Sequence, residues 1–221
     1  MADTERRVEF VVPSPRQFFT PAVTAILIIM VIGFAIVNYA QDFTVKYFAL
    51  TAGGVFSGKI WQLVTYSFID SIGLVLLFDG MLLLFIGSAL EKELGKAVFV
   101  LLWVIVSVVC GLIWVIVSRL MGANYLGLGA TSCAYGLVAV FGVIFRRRKF
   151  MAFFWTVEAR YISIGLIVIG IILNIPQPMN WIWISGALVG YLCVKLRMCA
   201  ARAPGVTPEI PKRRQSFVDI D

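Results

Sequence analysis

The chain alternates long apolar runs with short stretches that carry nearly all of its charge. Residues 22–37, 98–117, 137–145 and 162–172 are almost uninterrupted hydrophobic sequence. A hydrocarbon core of about 30 Å needs about 20 helical residues to cross. Six segments approach that length, near 22–39, 72–90, 97–118, 126–145, 161–175 and 180–196. The pattern therefore predicts an all-α polytopic membrane protein with six transmembrane helices. A cytoplasmic N-terminal segment is expected over 1–21, the membrane domain over 22–196 and a flexible basic cytoplasmic tail over 197–221. The first span is long, begins some twenty residues in and lacks a small-residue cleavage pattern, so it reads as retained rather than as a signal peptide.

Composition agrees with the pattern. Hydrophobic residues make up 61% of the chain and charged residues 14%, against roughly 45–50% and 25% in soluble globular proteins. That excludes a water-soluble fold. Of the 19 Lys and Arg residues, only Lys46, Lys59 and Arg119 fall on the side opposite the N-terminus if six spans are crossed. The remainder, including Arg146, Arg147, Arg148, Lys149 and Arg160, collect on the N-terminal side, which the positive-inside rule makes cytoplasmic. Both termini are then cytoplasmic. The net charge of +7 thus has a membrane explanation, and no soluble basic face with interleaved aromatics is present for nucleic acid.

The longest connection, 40–71, is too apolar for a solvated loop. Phe43, Tyr47, Phe48, Phe56, Trp61 and Tyr66 place it at the membrane interface, folded on itself with short helices. Cys110, Cys133 and Cys193 sit in apolar runs and read as core, while Cys199 is a juxtamembrane thiol, unmodified or palmitoylated. The chain has no histidine, hence neither the commonest general base nor the commonest metal ligand. No cofactor and no metal are expected.

Three motifs carry a family resemblance. They are Trp61-Gln62-Leu63-Val64-Thr65 with the later Gly87-Ser88-Ala89-Leu90-Glu91-Lys92-Glu93-Leu94-Gly95, then Gly127-Leu128-Gly129-Ala130-Thr131-Ser132-Cys133-Ala134-Tyr135-Gly136, and finally Ser185-Gly186-Ala187-Leu188-Val189-Gly190. In order and spacing they resemble the rhomboid superfamily over about 60–196. The resemblance implies a six-helix bundle with an aromatic interfacial loop between helices 1 and 2. In active members a Ser opening the fourth helix is the nucleophile, a His on the sixth is its base, and a His and an Asn on the second stabilise the oxyanion. Matched residue by residue, Thr131 stands at the nucleophile, Trp183 at the base, Val75 at the oxyanion His and Asp79 at the Asn. Every catalytic position has departed.

The resemblance, with these replacements, implies a rhomboid pseudoprotease that binds transmembrane helices of client proteins, or a subunit of a larger membrane complex, with the lipid bilayer as its other partner. Asp79, Trp61, Tyr135 and Trp183 are the candidate client-binding residues, Trp183 stacking on Tyr135 to fill the vanished active site. Gly127, Gly129, Gly136, Gly186 and Gly190 are candidates for close helix packing. The alternative is an active intramembrane serine protease using Ser132 or Thr131. A transporter is disfavoured, because Asp79 is the one clear ionisable residue within a span. A buried carboxyl is costly unless satisfied, and Thr131, Ser132 or a polar group of a bound helix could each serve Asp79.

Overall fold

The computed structural model describes residues 19–122, 125–146, 149–152, 155–174 and 182–200. The tail over 197–221 falls outside the described residues beyond Ala200, as does most of 1–21.

Helix α1 (Pro21–Tyr39) starts with proline in its first turn, where the missing N–H costs nothing and the fixed φ suits the helix. The Thr20 side chain does not cap its own helix. Glu91, seventy residues on, does so instead: its carboxylate accepts from the backbone N–H of Ala22 at 3.0 Å and of Val23 at 2.9 Å, and from the Thr20 hydroxyl. A carboxylate at a helix N-terminus meets both the orphan N–H groups and the positive end of the helix dipole. Val23, Ile26 and Met30, at helical spacing, are buried against Leu83, Ile86 and Leu90. Ile28, Ile29, Val31 and Ile32 on the other side are exposed.

The aromatic connection folds into three short helices, α2 (Gln41–Tyr47), α3 (Ala52–Phe56) and α4 (Gln62–Thr65), and a 3-10 turn, Tyr66–Phe68. It is held against the third long helix by reciprocal bonds: the Tyr66 hydroxyl donates to the Ser107 carbonyl and the Ser107 hydroxyl to the Leu63 carbonyl, both at 3.0 Å. Next comes a continuous helix, Gly73–Leu94, made of α5 (Gly73–Leu82), a π-helical turn (Leu83–Gly87) and α6 (Ser88–Leu94). Gly87 lies at that turn because a side chain there would press on Leu83, Val23 and Phe99. Gly95, at φ 84°, breaks the chain into α7 (Lys96–Leu120), since that backbone region costs any residue with a Cβ.

The fourth helix differs from its expected extent. Residues 125–130 are not helical: Leu50 and Gly127 exchange both backbone hydrogen bonds, at 2.8 and 2.9 Å, and α8 (Thr131–Ile144) begins only at Thr131. This backbone pairing withholds the first residues from the helix. At 14 residues α8 is about 21 Å long, and its residues from Thr131 to Phe141 are all buried, so it is the central helix of the bundle. Gly127 and Gly129 consequently serve this extended approach and not a helix-to-helix contact. Gly127 packs under Trp114 and Leu50, and Gly129, at φ 114°, lies beside Asp70.

A short antiparallel pair, β1 (Lys149–Ala152) with β2 (Trp155–Glu158), follows α8. The all-α expectation missed it, because an apolar-run pattern carries no sign of a four-residue ribbon in a basic connection. Helices α9 (Ala159–Asn174) and α10 (Ile182–Ala200) complete the described fold. Among the described residues, three helices are long and apolar enough to cross a membrane: Pro21–Tyr39, Gly73–Leu94 and Lys96–Leu120.

Helix α10 packs closest on α8. A Cβ on Gly186 would overlap the Ser132 carbonyl oxygen, and one on Gly190 the Gly136 carbonyl. Only backbone fits between the two helices there.

Candidate functional site

The first turn of α8 gathers the polar groups of the bundle. Thr131, its first residue, is buried, and its hydroxyl donates to Asp79 Oδ2 at 2.7 Å. Asp79 lies on α5 at 1% exposure and its Oδ1 has no hydrogen-bond partner among the described residues. A second carboxyl joins them. Asp70, just before α5, is 2% exposed, accepts a hydrogen bond from the Ala130 backbone and leaves Oδ2 without a described partner. Burial pushes the Asp70 carboxyl up to about 6, the Ala130 N–H pulling the other way. A Cβ on Gly129 would lie 2.9 Å from Asp70 Oδ1 and 3.7 Å from Thr131 Oγ1, so the Asp70 carboxyl and the Thr131 hydroxyl both border Gly129.

Asp70 was not among the residues singled out from sequence. Its signal is an acid set in the apolar stretch Phe68-Ile69-Asp70-Ser71-Ile72, but in an interfacial connection an acid normally meets water and signals no buried site.

Ser132, the other candidate nucleophile, is buried, with Gly186 against its carbonyl. The Tyr66 phenol is within hydrogen-bond reach of its side chain, and burial holds that phenol protonated far above its ordinary range. A phenol so held cannot take a proton from serine at neutral pH. Val75, one helical turn before Asp79, is half-buried and offers no donor to an oxyanion.

Tyr135 packs with Ala139, Ala187 and Ile167, and its phenol lies over Gly170 of α9, where any side chain would collide with it. Its described neighbours thus come from its own helix, α9 and α10. Trp183 falls in α10, but its side chain is outside the described residues, and so is the stacking of Trp183 on Tyr135. Trp61 is not in the buried group: it is exposed, and its indole N–H donates to the Tyr47 carbonyl at 2.9 Å. The structure therefore brings together Asp79, Thr131, Ser132 and the unexpected Asp70, and leaves Trp61 on the outer face of the loop. Among the described residues no group of three or more Cys, Asp or Glu side chains could hold a metal.

An apolar helical bundle with a short central helix, whose first turn carries a buried polar group, defines an integral membrane protein. The family model for the Rhomboid domain matches residues 57–198, and the chain belongs to the rhomboid family. No curated protein matches it.

Proposed function

We infer that this is a catalytically inactive rhomboid-like protein that crosses the membrane six times with both termini cytoplasmic and binds transmembrane segments of other proteins. The same lateral surface would serve if it were a permanent subunit of a larger membrane complex. The observation that carries the reading is the Thr131 hydroxyl, at the nucleophile position, bonded to Asp79 where the family has a neutral donor. A tetrahedral intermediate places negative charge beside this position. Here it would meet two carboxyls, an apolar Val75, and no histidine in the chain. Such a site disfavours acyl transfer electrostatically while keeping a polar centre within a helical bundle.

The span count draws support from the helices themselves. Helices α1, α5 continued into α6, and α7 reach across alone. The shorter α8 crosses together with the extended residues before it, and α9 and α10 are apolar and pack against α8. The 16-to-3 division of the basic residues supports the orientation, and the exposed Phe56 and Trp61 support an interfacial loop.

One observation favours a second reading. The Thr131 hydroxyl donates to a carboxyl, the contact a base-activated nucleophile needs, so an active intramembrane serine protease using Ser132 or Thr131 is the competing case. Incubating the purified full chain with a rhomboid test substrate separates the two. Intact substrate is expected, with no fluorophosphonate labelling of Thr131 or Ser132. Replacing Thr131→Ser with Trp183→His is expected to leave it inert, because Val75 and the two acids remain. Cleavage by the unaltered protein would establish the protease.

A further inference from the structure

We propose that Lys46 and Lys59, on the aromatic loop between α1 and α5, bind the phosphate of an anionic phospholipid headgroup in the extracytoplasmic leaflet. This rests on the interfacial placement and the orientation given above, and names the lipid chemistry that the loop selects. The two lysines meet at the C-terminal end of α2. The Lys59 ammonium, thirteen residues beyond Lys46, donates to the Lys46 carbonyl at 3.0 Å, serving an acceptor that the helix end leaves open. It lies 5.3 Å from the centre of the Tyr47 ring, and the Lys46 ammonium lies 5.5 Å from the same centre. Two positive charges thus share one ring. An ammonium has three donors, so Lys59 keeps two after its bond to the carbonyl, and Lys46 is exposed. No acid answers them. With six spans crossed, the extracytoplasmic side carries two, Asp42 and Asp70. Asp70 is buried, and Asp42, in the first turn of α2, forms no ion pair with either lysine among the described residues.

The Tyr47 ring attracts each ammonium but has no net charge to set against two. An anion with several oxygens does, and it can accept from both lysines at once. The surroundings say where that anion comes from. The Trp61 indole N–H is spent on the Tyr47 carbonyl while the rest of the side chain stays exposed, and the Phe43 ring lies 4.9 Å from that of Tyr47. Phe43, Ile60 and Trp61 are all exposed. Tyr and Trp settle at headgroup level in a bilayer, and the apolar side chains beside them suit the upper part of an acyl chain, so the phosphate arrives on a lipid. A zwitterionic headgroup would bring its own cation over the two lysines, whereas an anionic one does not. Arg119, the third basic residue of this side, lies over Phe56 of the same loop and adds to the positive field that favours the anionic lipid.

The test places the full chain in phosphatidylcholine nanodiscs with a trace of photoactivatable phosphatidylglycerol or, in parallel, photoactivatable phosphatidylcholine, the reactive group standing at the same position of the same acyl chain. Adducts are mapped to residues 41–66 by mass spectrometry, which separates this site from the basic residues of the opposite face. Phosphatidylglycerol is expected to label the segment in excess of phosphatidylcholine, each lysine contributing about fivefold to the preference. Lys46→Gln, which leaves the Lys59 bond to the backbone in place, should lower the excess about fivefold, and Lys46→Gln with Lys59→Gln should abolish it. Equal labelling by the two lipids overturns the site and leaves the loop at the interface. Labelling by neither overturns the interfacial placement as well. An excess that survives in the folded double variant overturns the assignment to these lysines. An excess removed by inorganic phosphate, but not by chloride at matched ionic strength, overturns the lipid as the occupant in favour of free phosphate. The comparison of lipids on the unaltered protein needs no variant, so misfolding of a Gln form does not blunt it.

Discussion

The Thr131 hydroxyl donates to Asp79 Oδ2 at 2.7 Å, tying the first residue of α8 to α5 across 52 positions of sequence. The bond gives a nucleophile-position hydroxyl a structural partner. It also ties the first residue of the central helix to α5 at the level of Asp79.

Removing the donor alone, which strands a buried carboxyl, should cost more than removing both partners. Thr131→Val leaves a buried carboxyl without its donor and is expected to destabilise by about 1–3 kcal/mol. Asp79→Leu should cost less or even stabilise, since it removes a burial penalty along with the bond. The double variant should be more stable than the sum of the two changes. Thermal unfolding of all four proteins in one detergent gives the coupling directly.

The contact between α8 and α10 predicts a contrast between two glycines. Gly186→Ala would drive a methyl into the Ser132 carbonyl, and because only backbone fits there the helices must separate, for a loss of several kcal/mol and a marked fall in folded yield. Gly165→Ala meets nothing within 4 Å and lies inside α9, so it should be neutral or stabilising by up to about 1 kcal/mol through helix propensity. Melting curves of the two variants check this.

Glu91 is expected to matter for assembly and not for binding. Glu91→Ala strips three hydrogen bonds from the start of α1, and should cost about 2 kcal/mol or more, in the range of a charged cap. Glu91→Gln keeps the acceptor oxygen but loses the charge, so it should fall between alanine and the natural residue. The readout is thermal stability of the natural protein and both variants in one detergent.

Asp70 gives a pH dependence of known sign. Its carboxyl is raised from 3.8 to about 6, so between these values the folded state binds more protons than the unfolded one. Its contribution therefore opposes folding at neutral pH, and stability recovers as pH falls from about 6 towards 4. Asp70→Asn should be more stable than the natural protein at pH 7, with the gap closing as the buffer is taken to pH 4.5. A gap that does not change with pH would mean the carboxyl does not titrate in this range.

The topology is checked by labelling. A cysteine placed near Lys46 should react with an impermeant thiol reagent in intact cells, and tags at both termini should be protected. Labelling of either terminus from outside would reverse the orientation.

What the sequence determined by itself follows from the one-dimensional character of membrane physics. An apolar run announces a helix through its length and its lack of charge, because an unpaired backbone in lipid is too costly to tolerate. The positions of α1, α5 to α6, α7, α9 and α10 were legible in that way to within a few residues, as was the family, whose glycine and acid motifs keep fixed spacing. Thr131 and Asp79 could be named as facing positions only through the resemblance, and even then the partner of Asp79 stayed open. Tertiary structure alone decided that Thr131 is that partner, that Asp70 joins it, that Glu91 caps a helix seventy residues earlier, and that Gly127 pairs with Leu50 and delays α8 until Thr131. Each of these depends on hydrogen bonds between segments far apart in the chain. Hydrophobic periodicity records which side of a helix avoids polar surroundings, but it carries no information about which distant donor will meet a buried acceptor.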